Sequence, residues 1–265
     1  MDRFNGLWLV NVELTSRCNK SCWMCGRRKI ERDFPEISAH YGDMDFELVE
    51  SIAKQLPDGI VVQFHNNGEP LLYPRFGEAV GLFKRQIRCM NTNGKLIVEK
   101  ADEIIGNLDT MTISAFENDE CAEEQLKLLK QFLVIRGNRK PRVIVRCLGN
   151  VDLDKYKNLD CLVAKRVMRS SFGNRSYKGI PTIPEIGICL DVLGHLVIKS
   201  NGYVFMCSRF DPDNSGIIGN CNKASLSKIW NGIYRFHRLQ FHIEGKREKI
   251  PSCSSCEFWG VPTGR

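Results

Sequence analysis

Three cysteines, Cys18, Cys22 and Cys25, stand three and then two residues apart, directly after the apolar-rich run from Leu7 to Leu14. Cys-x2-Cys alone suits zinc or a dithiol redox pair. A third thiolate with no adjacent His leaves that set incomplete, unless a residue such as His40 supplies the fourth ligand. Three thiolates around a four-iron cluster would instead leave one iron without a protein ligand and open to a small molecule, whereas structural metal sites are closed.

A second set lies near the other end of the chain: Cys189, Cys207 and the pair Cys253 and Cys256. Leu196 to Ile198 and Tyr203 to Met206 flank Ser200-Asn201-Gly202, a hairpin signal with Asn-Gly in the turn, so a cysteine falls near each end of a β-hairpin. Ser225 to Leu239 reads as a helix with Ile229, Trp230, Ile233 and Phe236 on one apolar stripe. Four thiolates close a site, which then moves an electron if it holds iron and sulfur, or is structural if it holds zinc. Cys89, Cys121, Cys147, Cys161 and Cys221 lie outside both sets and read as small buried hydrophobes; Cys221 is near enough in sequence to replace one ligand.

The elements between the two sets alternate. Strands are expected at Leu7 to Thr15, Ile60 to His65, Ile87 to Asn91, Thr110 to Ala115, Arg142 to Leu148 and Cys161 to Met168. Helices are expected at Phe46 to Gln55, Arg75 to Arg85, Val98 to Gly106 and Ala122 to Ile135, with a short turn at Leu153 to Asn158 and a long loop between the first strand and the first helix. Such alternation implies a parallel sheet with right-handed crossovers, and six strands suit an open, partial barrel. Polar residues recur at every second strand position: Asn11, Glu13 and Thr15, then Gln63 and His65, Asn91 and Asn93, Thr112 and Ser114, and Arg146. A period of two puts each set on one face, which gives the barrel a polar lumen able to bind a ligand.

After the second strand comes Asn66-Asn67-Gly68-Glu69-Pro70, and after the third Thr92-Asn93-Gly94. With Cys-x3-Cys-x2-Cys these turns resemble the radical SAM superfamily, whose second-strand loop reads Gly-Gly-Glu-Pro; Asn67 departs from the usual Gly. The resemblance implies a partial (β/α)6 barrel in which S-adenosylmethionine chelates the open iron of a 4Fe-4S cluster on Cys18, Cys22 and Cys25. An electron then breaks the sulfonium bond, and a 5′-deoxyadenosyl radical takes a substrate hydrogen. It further implies that Asn67, Gly68 and Glu69 bind the methionyl amino group, that the Met24 backbone meets adenine, and that Ser114 contacts ribose or carboxylate; Arg146 is positioned in sequence either to anchor the carboxylate by a bidentate pair or to hold substrate. The hairpin, helix and terminal Cys-x2-Cys resemble the Twitch domain, the shortened SPASM domain of some family members, with a second 4Fe-4S cluster on Cys189, Cys207, Cys253 and Cys256. This layout is that of members that oxidise an aminocyclitol; the sulfatase-maturating members carry a longer domain.

The expected organisation is therefore a radical SAM core over residues 1–175 and an auxiliary β-hairpin plus helix iron-sulfur domain over 176–265. The expected chemistry is a two-electron oxidation, with Glu13, His65 and Asp191 as candidates for the base. A peptide-modifying enzyme would use the same two clusters, although little chain precedes Cys18 to hold a separate leader-binding domain. A zinc or nucleic-acid-binding module would leave the Gly68-Glu69-Pro70 turn and the polar lumen without a role. The formal net charge of +7 invites a nucleic-acid reading, but seven thiolates around two four-iron cores would reduce it to about +4. The expected partners are a small-molecule or peptide substrate and a reductant such as flavodoxin or ferredoxin, with no nucleic acid and no membrane. Asp2, Arg3, Asn5, Gly6 and Asn11 interrupt the N-terminal apolar stretch, which excludes a signal peptide or span there and makes the expected compartment the cytoplasm.

Overall fold

The strand pattern resolves into a sheet with one apolar and one polar face. The computed structural model describes residues 4–166, 188–208, 214–254 and 256. Strands β1 (Leu9–Val12), β2 (Val61–Phe64), β3 (Ile87–Thr92), β4 (Thr110–Phe116), β5 (Arg142–Leu148) and β6 (Leu162–Arg166) lie side by side in chain order, all parallel. The helices of this part are α1 (Gly26–Asp33), α2 (Pro35–Ser38), α3 (Phe46–Gln55), α4 (Phe76–Gly81), α5 (Ala101–Ile104) and α6 (Ala122–Arg136).

Val10, Val12, Val62, Phe64, Met90, Met111, Ile113, Val143 and Val145 are at most 1% exposed, and they join Val49 and Ile52 of α3 and Leu129 and Phe132 of α6 in one core. Burying each such side chain contributes about 1.5–3 kcal/mol. The other face carries the polar set. Parallel register places Asn11 beside Gln63, Asn91 beside Thr112, and Ser114 beside Arg146, so the alternating residues line one surface, as the period of two requires.

The C-terminal hairpin is present, but it is not a separate sheet. Strand β7 (His195–Ile198) pairs in parallel with β1, and β8 (Tyr203–Phe205) and β9 (Ile217–Asn220) follow antiparallel, giving one nine-stranded sheet in the order β6-β5-β4-β3-β2-β1-β7-β8-β9. Helices α7 (Leu190–Gly194), α8 (Leu226–Trp230), α9 (Ile233–Ile243) and α10 (Pro251–Ser254) complete this region.

Two sequence expectations are corrected. The segment between β1 and α3 is not merely a loop, because it holds α1 and α2. Within α1 itself Ile30 is the one large apolar residue, and the ion pairs Arg27 to Glu31 (2.7 Å) and Lys29 to Asp33 (2.5 Å), four residues apart, add to its support. The helix expected at Ser225 to Leu239 is two helices. At Gly232 an added Cβ would stand 2.9 Å from the Lys228 carbonyl oxygen, a turn too tight for a side chain. The break splits the expected stripe: Ile229 and Trp230 are buried, whereas Ile233 and Phe236 are exposed.

The expected domain boundary at 175/176, the connection at Ser170 to Asn174 and the end of the sixth strand at Met168 lie outside the described residues. Among the described residues no helix is long and apolar enough to cross a membrane.

Candidate functional site

The first cysteine set sits on the loop leaving β1, and neighbouring loops hold that loop in place. Thr15 bridges Asp43, and the Ser16 N–H donates to the Gly42 carbonyl at 2.9 Å. Lys20 Nζ reaches Asp119 Oδ2 at 2.6 Å, both side chains nearly fully buried, and lies 4.6 Å from the centre of the Phe116 ring. Trp23 Nε1 donates to the Glu117 carbonyl at 3.0 Å, so its indole packs on the loop after β4, with Met24 partly buried beside it.

The three thiols feel one another. Burial, then Cys25, pushes the Cys22 thiol up to about 12; Cys18 and Asp119 add to this and Lys20 opposes it. Cys25 is raised by burial, partly offset by a backbone hydrogen bond from Arg27. Asn93 Nδ2 donates to Asn19 Oδ1 at 2.8 Å and lies 3.9 Å from Cys18 Sγ. Among the described residues no three His, Cys, Asp or Glu side chains gather at one point to hold a single metal ion. Zinc needs every thiolate within about 2.3 Å of one centre. Three neighbouring thiols, taken as thiolates, are donors of the kind an iron-sulfur cluster uses.

The loop after β2 lies against the residues preceding Cys18. A Cβ on Gly68 would stand 2.0 Å from the Thr15 carbonyl oxygen and 2.8 Å from that of Arg17, so only glycine fits. The next N–H, of Glu69, donates to the Arg17 carbonyl at 2.8 Å. The Glu69 carboxylate turns away from the loop's outer surface: it accepts from Thr92 Oγ1 (2.8 Å), the Asn93 N–H (2.8 Å) and the Leu71 N–H (3.3 Å), while burial pushes it up to about 7 against those donors. Glu69 is a strut between the two turns, and any ligand at this loop meets backbone. The Asn67 N–H donates to Glu13 Oε1 at 2.9 Å, which ties the same loop to β1.

Within the lumen, Ser114 and Arg146 sit on adjacent strands in register. Arg146 has no carboxylate or hydrogen-bond partner among the described residues, and burial first, then Arg166, lowers its pKa. His65 is engaged at both ring nitrogens, 3.4 Å from Asn11 Nδ2 and 3.1 Å from Asn91 Nδ2. Enclosure by the lumen wall, then Arg146 and His195, pushes it down to about 3.

A neutral folded His65 implies acid sensitivity. The unfolded chain takes up this proton below its ordinary value of about 6.5 and the folded chain does not, so the stability His65 contributes is present above that value and lost as pH falls towards 3. Thermal unfolding of His65→Gln should therefore depend less steeply on pH between 6.5 and 4.5 than that of the wild type; equal slopes would refute the assignment.

Glu13 accepts from Asn66 Nδ2 (3.3 Å) and Asn67 N–H at one oxygen and from the Ser200 N–H (3.3 Å) at the other. It also lines a cavity of about 760 Å³, which opens between α1–α2 and the β7–β9 sheet; Tyr41, Asn67, Lys199, Tyr203 and Phe205 share the wall. His65 and Asp191 do not line it.

At the second cysteine set, Cys189 precedes α7, Cys253 lies in α10 and Cys256 just beyond it. Burial, then Cys256 and Cys189, pushes the Cys253 thiol up to about 12, so these thiols lie near enough to influence one another. Cys207 Sγ lies 3.6 Å from Asp191 Oδ2, two residues along from Cys189. Cys221 Sγ instead donates to the Gly202 carbonyl at 3.0 Å. None of the twelve cysteines, all described, is in a disulfide. Cys189, Cys253 and Cys256 influence one another electrostatically, and Cys207 touches the acid two residues after Cys189; four cysteines are the number of donors a closed four-iron cluster takes.

The sequence did not single out Lys20, Asp119 or His195. A lysine inside a cysteine motif reads as solvated, and its buried carboxylate lies 99 residues away.

Residues 189–257 match the SPASM family, an iron-sulfur cluster-binding domain. The chain is 25% identical over 266 residues to the S-adenosyl-L-methionine-dependent 2-deoxy-scyllo-inosamine dehydrogenase of Niallia circulans, covering 96% of this chain and 94% of that protein. It is 33% identical over 280 residues to the tungsten-containing aldehyde ferredoxin oxidoreductase cofactor-modifying protein of Pyrococcus furiosus, covering 92% and 76%. Among solved structures it is similar to BtrN in complex with AdoMet and 2-DOIA (TM-score 0.66, 21% identity, 99% of this chain and 97% of that one). It is also similar to Streptococcus suis SuiB bound to S-adenosylmethionine (TM-score 0.62, 15% identity, 96% and 73%).

Proposed function

The chain belongs to the radical SAM enzymes that carry a C-terminal SPASM iron-sulfur domain, and from this premise we propose that it oxidises a hydroxyl-bearing small molecule, of the aminocyclitol or sugar-alcohol class, to a carbonyl compound. The observation that supports this reading is the second cysteine set, in which Cys189, Cys253 and Cys256 influence one another and Cys207 touches Asp191; with all four as ligands a cluster there would be closed and suited to electron transfer. When bound, S-adenosylmethionine with the first cluster would supply hydrogen-atom abstraction at a substrate carbon, and a cluster on the second set would supply a one-electron acceptor.

The chain's own residues do the rest. Cys18, Cys22 and Cys25 hold the first cluster. The backbone of Asn67 to Glu69 and of Met24 receives S-adenosylmethionine, and Arg146, an unpartnered cation beside Ser114, takes a carboxylate. Substrate enters by the cavity between α1–α2 and β7–β9. Glu13, the one base candidate on its wall, receives the hydroxyl proton. One hydrogen atom, one electron and one proton lost from H–C–O–H leave C=O.

The test uses anaerobically reconstituted protein with S-adenosylmethionine, a reductant and a panel of carbon-deuterated aminocyclitols and sugar alcohols. Deuterium should appear in 5′-deoxyadenosine together with a ketone product. Changing Cys253 and Cys256 to Ala should lower iron from about eight to about four per chain, retain some cleavage, and stop ketone formation. Ketone at the wild-type rate in that variant would end the reading. The 33% identity to a cofactor-modifying protein favours a second reading, modification of a peptide or protein-borne group; deuterium transfer from a peptide and from none of the polyols would select it.

A further inference from the structure

Helix α9 presents its apolar residues to the outside. Ile233, Tyr234, Phe236 and Ile243 are 56–64% exposed, whereas His242 is buried and two arginines turn inward to hold backbone carbonyls. Arg235 Nη2 donates to the Leu193 carbonyl at 2.7 Å, and Arg238 Nη2 to that of Ser215 at 2.6 Å. Contiguous exposed apolar surface on a soluble chain marks a place where something binds. Both ends of this helix are tied to the auxiliary cysteines. At its start, the Leu193 that Arg235 holds donates its own N–H to the Cys189 carbonyl at 3.1 Å. Just beyond its end, Arg247 donates to the carbonyls of Cys253 and, at 3.3 Å, of Cys256. Helix α7 packs on α9 and adds Leu190 and Leu193, both half-exposed, and Leu190 is the residue next to Cys189. An apolar surface is therefore joined by short hydrogen-bonded paths to three of the four auxiliary cysteines.

We propose that this outer side of α7 and α9 docks an acidic one-electron carrier protein, which takes away the electron that substrate oxidation leaves at the auxiliary site. The proposal rests on the oxidase reading for the direction of the electron. Charge selects the sign of the partner: between Leu226 and Ser254 stand Lys228, Arg235, Arg238, Lys246, Arg247 and Lys249 against Glu244 and Glu248, and α9 itself has no acid. Apolar side chains among cations complement a carrier whose surface is acidic, and the long-range attraction speeds its arrival. Size argues against a second copy of this chain. One helix of 11 residues with two neighbouring leucines is a small face; electron-transfer encounters occupy less than about 1,200 Å², whereas obligate dimers bury about 2,000 Å² or more. The carrier gains one electron, the auxiliary site returns to its oxidised state, and no bond forms or breaks.

The experiment is calorimetric titration of the anaerobic holoenzyme with purified oxidised flavodoxin and, separately, oxidised plant-type ferredoxin, both acidic. At least one should bind at low salt, with an affinity that falls as salt rises. Phe236→Asp and Ile233→Glu should each weaken that binding by about tenfold or more while auxiliary iron is retained. Val134→Asp, at an exposed apolar residue of α6, should bind as the wild type does. Unchanged affinity in both α9 variants overturns the proposal, and so does a wild type that binds neither carrier. A wild-type dimer in sedimentation velocity that both variants dissociate gives the face to a second copy and overturns it; binding to anionic phospholipid vesicles in place of the carriers does the same for a membrane surface. If one variant loses auxiliary iron the other decides, and loss in both shows the outer side to be structural, which overturns it too. The oxidase reading fails separately: no ketone from any polyol, with carrier binding still lost in the α9 variants, ends that reading and leaves the docking face standing.

Discussion

Replacing Cys18, Cys22 and Cys25 together by Ala should reduce 5′-deoxyadenosine formation to background while the auxiliary cluster stays in place, so iron falls from about eight to about four per chain. The loop that carries these cysteines is fixed by contacts the substitution does not touch. The Lys20 to Asp119 pair, the Trp23 hydrogen bond to Glu117 and the Thr15 bridge to Asp43 all remain. The second set lies elsewhere, before α7, after β8, and in and just beyond α10, and Cys253 has its own burial. Iron analysis and chromatography of the nucleoside product check both halves of the expectation. Undiminished 5′-deoxyadenosine would mean that cleavage does not pass through these thiolates.

Gly68→Ala should be nearly as damaging, although it adds one methyl group. With the Thr15 carbonyl oxygen 2.0 Å from the new Cβ and that of Arg17 at 2.8 Å, the obstacle is backbone, not the end of a flexible side chain. The Asn67 to Glu69 loop must move off the strand that leads to Cys18, breaking the Glu69 to Arg17 hydrogen bond. A displacement of about 1 Å at such a place costs on the order of 100-fold in rate. We expect that loss in S-adenosylmethionine cleavage, together with weaker binding of S-adenosylmethionine by calorimetry. Gly81→Ala is the control: nothing lies within 4 Å of its added Cβ, at the end of α4, and it should behave as wild type. Equal activity of the two variants would remove the close approach from the account of the site.

Much of this site is legible in the sequence because it rests on local signals. Cysteine spacing needs no knowledge of the fold, and the polar face of each strand follows from a period of two, which the register of Ser114 with Arg146 bears out. Gly68 is readable as part of a turn, but that only glycine fits there comes from the Thr15 and Arg17 carbonyls it approaches. Long-range partners are the part that sequence does not carry. Glu69 resembles a ligand-binding acid and proves to be spent on Thr92, Leu71 and Asn93. His65 resembles a base, yet Asn11 and Asn91 occupy its two nitrogens. Helix α1 is hard to read because it is eight residues long with one large apolar side chain, Ile30, and its ion pairs are only a weak sequence signal. The expected helix at Ser225 to Leu239 fails at Gly232 for the opposite reason: apolar spacing continues across a turn the backbone cannot.

The pairing of β7 with β1 has a consequence for how the chain is made. Strand β1 is made well before the neighbour on its second side, His195 to Ile198, which is specified more than 180 residues later. At about 5–20 residues per second of synthesis, β1 spends roughly 10 to 40 s as an open edge, offering unpaired N–H and C=O groups to any other nascent strand. The polar run Asn11, Glu13 and Thr15 on its lumen face limits that exposure to one apolar row, Val10 and Val12. Truncating the protein before β7 would make this transient edge permanent. The expected product is a chain that associates through β1, and the C-terminal region therefore serves as the closing strand of the N-terminal half, whatever metal it also carries.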